Sequence, residues 1–449
     1  MKEKNKSVKM NKVKAFWSYL QSTLWFVPTL LILANVLLAT FLINLEAPSD
    51  GMAVIERLRL FGMGAEEARA MLSTIASSMM SIVGITFSMT IVTLTLASNQ
   101  YTPRILRNFT RSRLTQVVIG LFIGIFAYCL IILSTIREGS SNEFVPTLAV
   151  FVAFLAALVG VCLLIFFIHH IASSIQASNI LASIAQDTEI VIDQMYPLSS
   201  DKEAEMPPSP HWDHNQTWTP LFSQASGYIQ NIQIEKLKQL AEDHQTVFRM
   251  EHVVGEFVVK ETPLLSILGE VEISESLANS IYATLIFSSH RSLEQDVSFG
   301  IRQIVDIALK ALSPGINDTT TAVMSLHHLT TIVVHLAQKK FNPSYHYQKE
   351  ELRVITKDHC FKTLFCEAFD QIRENGKGNL AIALTLARAF ELVLGKLESR
   401  SSLRMISQQI DRLEEVAKKN MQCRFELKKI EERLMELQLL LKKQFNACE

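Results

Sequence analysis

Four stretches of this 449-residue chain are long enough and apolar enough to cross a lipid bilayer, and they limit its fold more than any other feature. They cover residues 24–45, 71–98, 116–136 and 146–171. A helix needs about 20 apolar residues to span the hydrocarbon core, where the backbone must satisfy its own hydrogen bonds. The sequence therefore predicts four transmembrane helices. The residues after the fourth stretch have the composition of a soluble protein.

Positive charge in the loops predicts how these helices are oriented. The first fourteen residues contain six lysines, and the loop between the second and third stretches contains four arginines and no acidic residue. These arginines are Arg104, Arg107, Arg111 and Arg113. Because Lys and Arg accumulate on the cytoplasmic side, both termini are predicted to be cytoplasmic. The four arginines are also expected to contact the anionic head groups of the lipid bilayer.

The second apolar stretch carries a stripe of hydroxyl side chains. Residues seven apart share one face of a helix, and that face contains Thr74, Ser81, Ser88 and Thr95, with Gly84 beside them. One interpretation is a face for close helix packing, because small residues let backbones approach and hydroxyls can bond to the carbonyl four residues earlier. The other is the water-facing lining of an oligomeric pore. The stretch has no ionisable side chain, which argues against a proton relay.

The third stretch contains a second small-residue feature. Gly120 and Gly124 form a G-x-x-x-G motif in an apolar context. Such glycines let two helices pack closely in a membrane. The motif is common, so it predicts only that another helix lies against this face.

The whole chain is predicted to divide into seven segments. They are a basic cytoplasmic tail (1–23), a four-helix transmembrane domain (24–171), a helical extension of the fourth span (172–197), a polar linker (198–216), a small β-barrel (217–273), an α/β segment with a helical hairpin (274–356) and a helical bundle or coiled-coil tail (357–449). The last segment repeats apolar residues at spacings of three and four, at Leu427, Ile430, Leu434, Leu437 and Leu441. That stripe is coiled-coil-like and packs either within the chain or between subunits.

The barrel prediction depends on one short phrase. The residues VVGEFVVKETPLLSI resemble the turn-and-strand unit of barrel-sandwich hybrid domains, which are related to lipoyl and biotinyl carriers. The tight hairpin with a modified lysine that those carriers present is not found here, so only the barrel shape is inferred. The predicted fold class is an α-helical integral membrane protein with four transmembrane helices. Its cytoplasmic α+β domain would contain a small β-barrel and a helical C-terminal part.

The hairpin prediction comes from FGIRQIVDIALKALSPGINDTTTA, in which Pro and Gly interrupt two helical patterns. Asn317 or Asp318 can cap the second helix, and Arg302 can pair with Asp306 four residues later. Four polar residues are predicted to converge near the turn, namely Arg291, Asp296, Asn317 and Asp318. A buried polar network is one interpretation. The other is a ligand or cation site formed by Asp296, Asp306, Asn317 and Asp318, although hard cations need several oxygen ligands.

The sequence contains no P-loop, dinucleotide fingerprint, nucleophile elbow, kinase set or H-E-x-x-H motif. No catalytic residue, cofactor or metal site is therefore predicted, and no enzymatic activity. The six cysteines lack disulfide or zinc spacing, which indicates reduced packing residues. The net charge of −1 gives no indication of nucleic-acid binding.

Two long phrases together resemble a known family. They are SIVGITFSMTIVTLTLASNQYTPRILRNF and FGIRQIVDIALKALSPGINDTTTA, and they are similar to a widespread bacterial family of predicted inner-membrane proteins classed as a domain of unknown function. The resemblance implies four spans, a cytoplasmic domain and a place in the bacterial inner membrane, but no activity. The family usually has Pro where this chain has Thr319, and tends to have Gly where it has Glu261.

Two functions are compatible with these features. The first is an oligomeric channel or transporter-like protein with a cytoplasmic regulatory domain, in which the second span lines a path between identical subunits. The second is a non-conducting membrane sensor or scaffold that recruits cytoplasmic partners. The sequence predicts a homo-oligomer in the lipid bilayer, but it identifies neither a cytoplasmic protein partner nor a small ligand.

Overall fold

The computed structural model describes residues 25–46, 64–100, 113–137, 144–196, 216–339, 341, 344–397 and 399–447. They belong to two compact units, Met1–Gln176 and Ala177–Glu449. The predicted amino-terminal tail, most of the polar linker, and Arg104, Arg107 and Arg111 lie outside the described residues.

The first unit contains four long apolar helices. They are α1 (Phe26–Glu46), α2 (Ala65–Gln100), α3 (Arg113–Thr135) and α4 (Thr147–Ser174). Each is long and apolar enough to cross a membrane. The four predicted spans are therefore confirmed at the level of helix length and composition. Helix α2 begins six residues before the predicted span and continues two residues beyond it.

Helix α3 forms the centre of this unit. Its side chains Phe122, Ile125 and Ile132 are buried in a single apolar core. Its two glycines lie against α1: a Cβ atom at Gly120 would be 2.7 Å from the Cα atom of Pro28. The predicted close packing at the G-x-x-x-G motif is therefore confirmed, and α1 is the partner helix.

The second unit begins with a separate helix. The sequence predicts that the fourth span continues as one helix to residue 197, but α4 ends at Ser174 and α5 covers Ala177–Met195. The Ser174 hydroxyl donates a hydrogen bond to the carbonyl of His170 at 2.7 Å. Serine side chains that bond to the local backbone compete with helical structure, which is consistent with a break here.

The described residues that follow form eight strands in two sheets. They are β1 (Trp218–Phe222), β2 (Gly227–Ile232), β3 (Phe248–Met250), β4 (Phe257–Val258), β5 (Pro263–Leu268), β6 (Leu285–Ser288), β7 (Ser344–Gln348) and β8 (Glu351–Thr356). One sheet has the order β1-β5-β3-β8-β7 and the other β4-β2-β6. All neighbours are antiparallel except β3 and β8, which are parallel.

These strands do not support the predicted small barrel over 217–273. Within the described residues the two sheets form no closed barrel, and the larger sheet takes β7 and β8 from outside that segment. Strand β4 has only two residues, too few to close a ring of strands. The barrel prediction is therefore not confirmed, and the region is an open α+β arrangement.

Helices form the rest of the second unit. They are α6 (Ile234–Asp243), α7 (Glu275–Tyr282), α8 (Val297–Ala311), α9 (Thr319–Ala337), α10 (Phe361–Asn375), α11 (Leu380–Leu394), α12 (Arg400–Asn420) and α13 (Arg424–Ala447). Phe365, Phe369 and Phe390 pack together, with ring centroids 4.9 to 5.7 Å apart. Along α13, Ile430 and Leu434 are buried within this chain. The coiled-coil-like stripe therefore packs inside the chain.

Candidate functional site

The hydroxyl side chains of α2 lie on two different faces. The predicted stripe, made of Thr74, Ser81, Gly84, Ser88 and Thr95, is exposed on the surface of the unit. Thr86 and Thr93 are instead buried against the other spans. The periodicity of the sequence therefore separates two faces, and the predicted stripe lies on the outer one.

Most stripe hydroxyls satisfy their donors within the helix. Thr74 donates to the carbonyl of Ala70 at 2.8 Å, and Ser81 donates to that of Ser77 at 3.0 Å. Thr95 donates likewise to Ile91. Such bonds lower the cost of placing a hydroxyl in an apolar medium and leave its oxygen free to accept another bond.

The stripe is not the face by which α2 packs within this chain. That face consists of Ala68, Leu72, Ala76 and Met79, all of which are buried. At Gly84, no other described residue places an atom within 4 Å of the position that a Cβ would occupy. Among the described residues, the stripe therefore has no helix packed on it.

A groove runs beside the stripe, between α2 and the last turns of α4. Its volume is about 750 Å³. Ser81, Gly84 and Ser88 contribute to one wall, and Ile168 and Ile171 contribute to the other. The groove combines hydroxyl and apolar surfaces, which are the surfaces that packed transmembrane helices present to one another.

Hydrogen bonds tie the spans together at the other end of the unit. The carboxylate of Glu46, at the end of α1, accepts a hydrogen bond from the backbone N–H of Leu148 at 2.6 Å. Arg69 donates to the carbonyl of Ile136, at the end of α3, at 2.8 Å. Both bonds satisfy backbone groups at helix ends, which have no partner within their own helix. Of the predicted surface arginines, Arg113 is described, and it is exposed at the start of α3.

The second unit contains an ion pair whose carboxylate is buried and whose guanidinium is partly exposed. Arg291 donates two hydrogen bonds to Asp296, each 2.8 Å long, and a third to Ser298. Asp296 also caps α8 by accepting from the backbone N–H of Phe299 at 2.9 Å. Gly255 has a positive φ of +87°, and a Cβ there would lie 2.1 Å from the Asp296 carboxylate. A glycine at 255 therefore makes room for the pair.

The other predicted polar residues lie elsewhere. Asp318 caps α9, accepting from the backbone N–H of Thr321 at 3.0 Å. Hydrogen bonds from the Thr321 side chain and backbone lower the pKa of Asp318. Asn317 precedes this cap with φ +49°. The 15 residues of α8 separate Asp296 from the turn, about 22 Å at the usual helical rise.

The four residues predicted to converge therefore lie at opposite ends of α8. Arg291 and Asp296 lie at its start, and Asn317 and Asp318 follow its end. Arg302 and Asp306 form the predicted pair at 2.7 Å along the middle of that helix, and Arg302 also donates to Gln371. Within the described residues no group of three or more His, Cys, Asp or Glu side chains is placed to hold a metal ion. The geometry favours local caps and ion pairs over a shared site.

The two positions where the sequence departs from the family pattern lie in a turn and at the start of a helix. Glu261 has φ +66°, in the left-handed region that favours glycine. Thr319 is the first residue of α9, and its hydroxyl accepts a hydrogen bond from Asn379 at 3.0 Å. Proline is favoured at the first position of a helix. Threonine lacks that advantage, but its hydroxyl contacts Asn379, the N-cap of α11.

One polar cluster has no counterpart in the sequence predictions. Asp193 on α5 accepts from Lys339 at 2.6 Å and makes a 2.8 Å hydrogen bond with His335 near the end of α9. The hydrogen bond from Lys339 is the main cause of a lowered pKa at Asp193. These partners are more than 140 residues apart, so no local spacing could have indicated them.

Comparison with known proteins gives a family without an assigned activity. A family model described as a predicted membrane protein of unknown function, DUF2254, matches residues 21–391. An uncharacterized protein of Mycobacterium tuberculosis strain H37Rv is 32% identical over 338 residues, which are 74% of this chain and 63% of that protein. An uncharacterized protein of Mycobacterium bovis gives the same values. The match thus covers less than two thirds of these relatives, and no solved structure matches the chain.

Proposed function

The chain belongs to the DUF2254 family of predicted membrane proteins, and we propose that it is an oligomeric channel or transporter-like protein of the bacterial inner membrane. In this proposal the exposed hydroxyl stripe of α2 lines a path between subunits. The second unit is then a cytoplasmic regulatory domain. The lysine-rich tail and the arginine-rich loop support cytoplasmic termini, because such charges remain on the inner side.

One observation carries the proposal: a stripe of hydroxyl side chains on α2 points away from the chain's own bundle. Ser81, Ser88 and Thr95 are exposed, on a surface that they share with apolar side chains such as Ile85 and Phe87. In a lone subunit this arrangement would turn hydroxyl oxygens toward lipid, where they have no donor to accept from. An assembly around α2 would give them water or a neighbouring helix instead.

The interior of the single unit supports an assembly rather than a path through one subunit. Phe122 and Tyr128 are buried at its centre, and the Tyr128 hydroxyl donates to the Ala149 carbonyl at 2.9 Å. Large side chains fill the space along α3 where a path within one subunit would run. The stripe carries no charged side chain, so a path along it would not select between cations and anions.

Flux through reconstituted protein tests this proposal. We expect the full chain in liposomes to pass potassium ions, and Ser81→Leu and Ser88→Leu each to reduce the flux severalfold. Both positions are exposed, so leucine fits without disturbing the fold of the subunit. Thr40→Leu is the matched control, because Thr40 is an exposed hydroxyl of α1 that bonds to the Val36 carbonyl.

Three results would contradict the proposal. Absent flux would favour the non-conducting sensor or scaffold. Flux that responds equally to Thr40→Leu and Ser88→Leu would show that the α2 stripe does not line the path. A strict monomer in detergent would leave α2 without a subunit interface to line. Cross-linking of Ser88→Cys, in a background without the other exposed cysteines, measures the interface directly, and we expect covalent dimers.

A further inference from the structure

The second unit contains a large open groove that none of the functions discussed above uses. Its volume is about 940 Å³, and it lies among the end of α9, the start of α10 and the connection from α11 to α12. Pockets for small organic ligands usually measure about 300–1,000 Å³. The space is therefore large enough for a ligand the size of a nucleotide.

Lysine side chains line this groove. Lys362 and Lys396 are exposed along it, and within the described part of the chain neither forms an ion pair. Lys339 also lines the groove, but its ammonium is buried and paired with Asp193. Among the described lining residues there is no Asp or Glu. The two unpaired lysines therefore give the groove a positive field, which favours an anion.

Two helices begin at the groove. The N-caps of α10 and α12 are Cys360 and Ser399, and both line it. The Ser399 hydroxyl bonds to the Ser401 hydroxyl at 2.7 Å and not to the free backbone N–H groups. By contrast, Asp318 and Asn379 cap the neighbouring helices α9 and α11 with side-chain oxygens. The starts of α10 and α12 thus add backbone donors and a favourable dipole to the lysine charge.

Aromatic and apolar side chains form the rest of the groove. Phe341 is partly exposed along it and packs on the buried Phe361 with ring centroids 5.9 Å apart, and the buried Met405 forms part of its floor. A planar ring can pack on such side chains while an anionic group meets the lysines. The groove therefore has the two chemical surfaces that an organic phosphate requires.

We propose that this groove binds an organic phosphate of nucleotide size, with Lys362, Lys396 and the start of α12 holding the phosphate groups. The ring of the ligand packs against the partly exposed Phe341. The proposal does not depend on conduction, because all of its residues lie in the second unit. It makes this unit a receptor for a phosphorylated metabolite.

Calorimetric titration of the full chain in detergent tests this site with ATP as the probe. We expect ATP to bind, pyrophosphate to displace it, and adenosine alone to bind much more weakly. The double variant Lys362→Ala/Lys396→Ala should weaken ATP binding by about tenfold or more, since charge-assisted hydrogen bonds are lost. Lys362→Arg/Lys396→Arg should retain most of the affinity. Lys310→Ala, an exposed lysine at the end of α8, is the matched control and should leave binding unchanged.

Equal ATP affinity in the native protein and the double alanine variant, at an unchanged melting temperature, would overturn the proposal. No heat of binding up to millimolar ATP would also overturn it. Tighter binding of dihexanoyl phosphatidylglycerol than of ATP would reassign the phosphate to a lipid head group and reject the soluble ligand.

Discussion

The two glycine-containing faces of the membrane unit look alike in sequence but differ in the structure. On α3, a Cβ at Gly120 would lie 2.7 Å from the backbone of Pro28, because α1 fills the space beside it. On α2, no described residue comes within 4 Å of the same position at Gly84. Both are small-residue faces of apolar helices. The comparison shows that such a face indicates the need for a partner, and that only the structure shows whether the chain supplies it.

The second unit repeats this contrast with charged residues. Arg291 pairs with the buried carboxylate of Asp296, whereas Lys362 and Lys396 have no acidic partner among the described residues. Residues that find their partner within the chain stabilise the unit. Residues that find none are available for binding another molecule. The two open surfaces, the α2 stripe and the lysine groove, are accordingly the places where we propose function.

The largest effect is expected at the Arg291–Asp296 pair. Hydrogen bonds to charged groups contribute about 1.5–3 kcal/mol, and a helix N-cap contributes about 1 kcal/mol. We expect Asp296→Ala to lower the free energy of local unfolding by about 2–4 kcal/mol, because it removes both the bonds from Arg291 and the α8 cap. The cost stays below that of a fully buried pair because the Arg291 side chain is 22% exposed. Hydrogen–deuterium exchange of peptides from α8 in the full chain measures it.

The control for this variant is an exposed pair. Lys418 binds Glu414 at 2.5 Å on the surface of α12, where solvent screens the pair and leaves it little effect on stability. Lys418→Ala should leave the exchange of α8 unchanged. An Asp296→Ala effect as small as that of the control would show that the pair does not hold this region together.

The next prediction addresses the two glycines directly. Gly120→Ala places a methyl group against the backbone of α1, and overpacking of this kind costs about 1–3 kcal/mol. Gly84→Ala meets no described neighbour and should leave the stability of the single subunit unchanged or slightly higher, because alanine favours a helix. Denaturation of the detergent-solubilised protein by SDS compares the two. Equal destabilisation would contradict the distinction between the faces.

The sequence predicted the features that depend on local or bilayer-scale physics. The spans follow from length and apolarity, and the cap at Asp318 and the pair of Arg302 with Asp306 follow from spacing along a helix. Gly120 and Gly124 correctly indicated a packed face, although the motif did not identify α1 as the partner.

The remaining features depend on contacts that are distant in sequence. The parallel pairing of Phe248 with Val354 brings β8 into the larger sheet from about a hundred residues away, and no barrel motif in 217–273 predicts it. Asp296 and Asp318 are only 22 positions apart, but the 15-residue helix α8 lies between them and keeps them at a distance. Lys362 and Lys396 share a groove because two helices begin there, and neither residue belongs to a recognisable motif.

The smallest expected effect is the difference in stability between a helix start that a side chain caps and one that no side chain caps. Asp318→Ala removes the side-chain acceptor of α9 and should cost about 1 kcal/mol near neutral pH. Ser399→Ala at α12 is the matched control and should cost less, because that hydroxyl bonds to Ser401 and not to the backbone. Hydrogen–deuterium exchange of the first turns of α9 and α12 measures both.

The pH dependence gives a second test of the Asp318 cap. Hydrogen bonds from Thr321 lower the pKa of Asp318 in the folded protein, so its contribution is present above the unfolded value of about 3.9. That contribution is lost as the pH falls further, through the folded value. The difference between Asp318→Ala and the native protein should therefore shrink below about pH 4, while Ser399→Ala shows no such trend. If the stability difference between Asp318→Ala and the native protein stays constant in acid, the hydrogen bonds from Thr321 do not require an ionised Asp318.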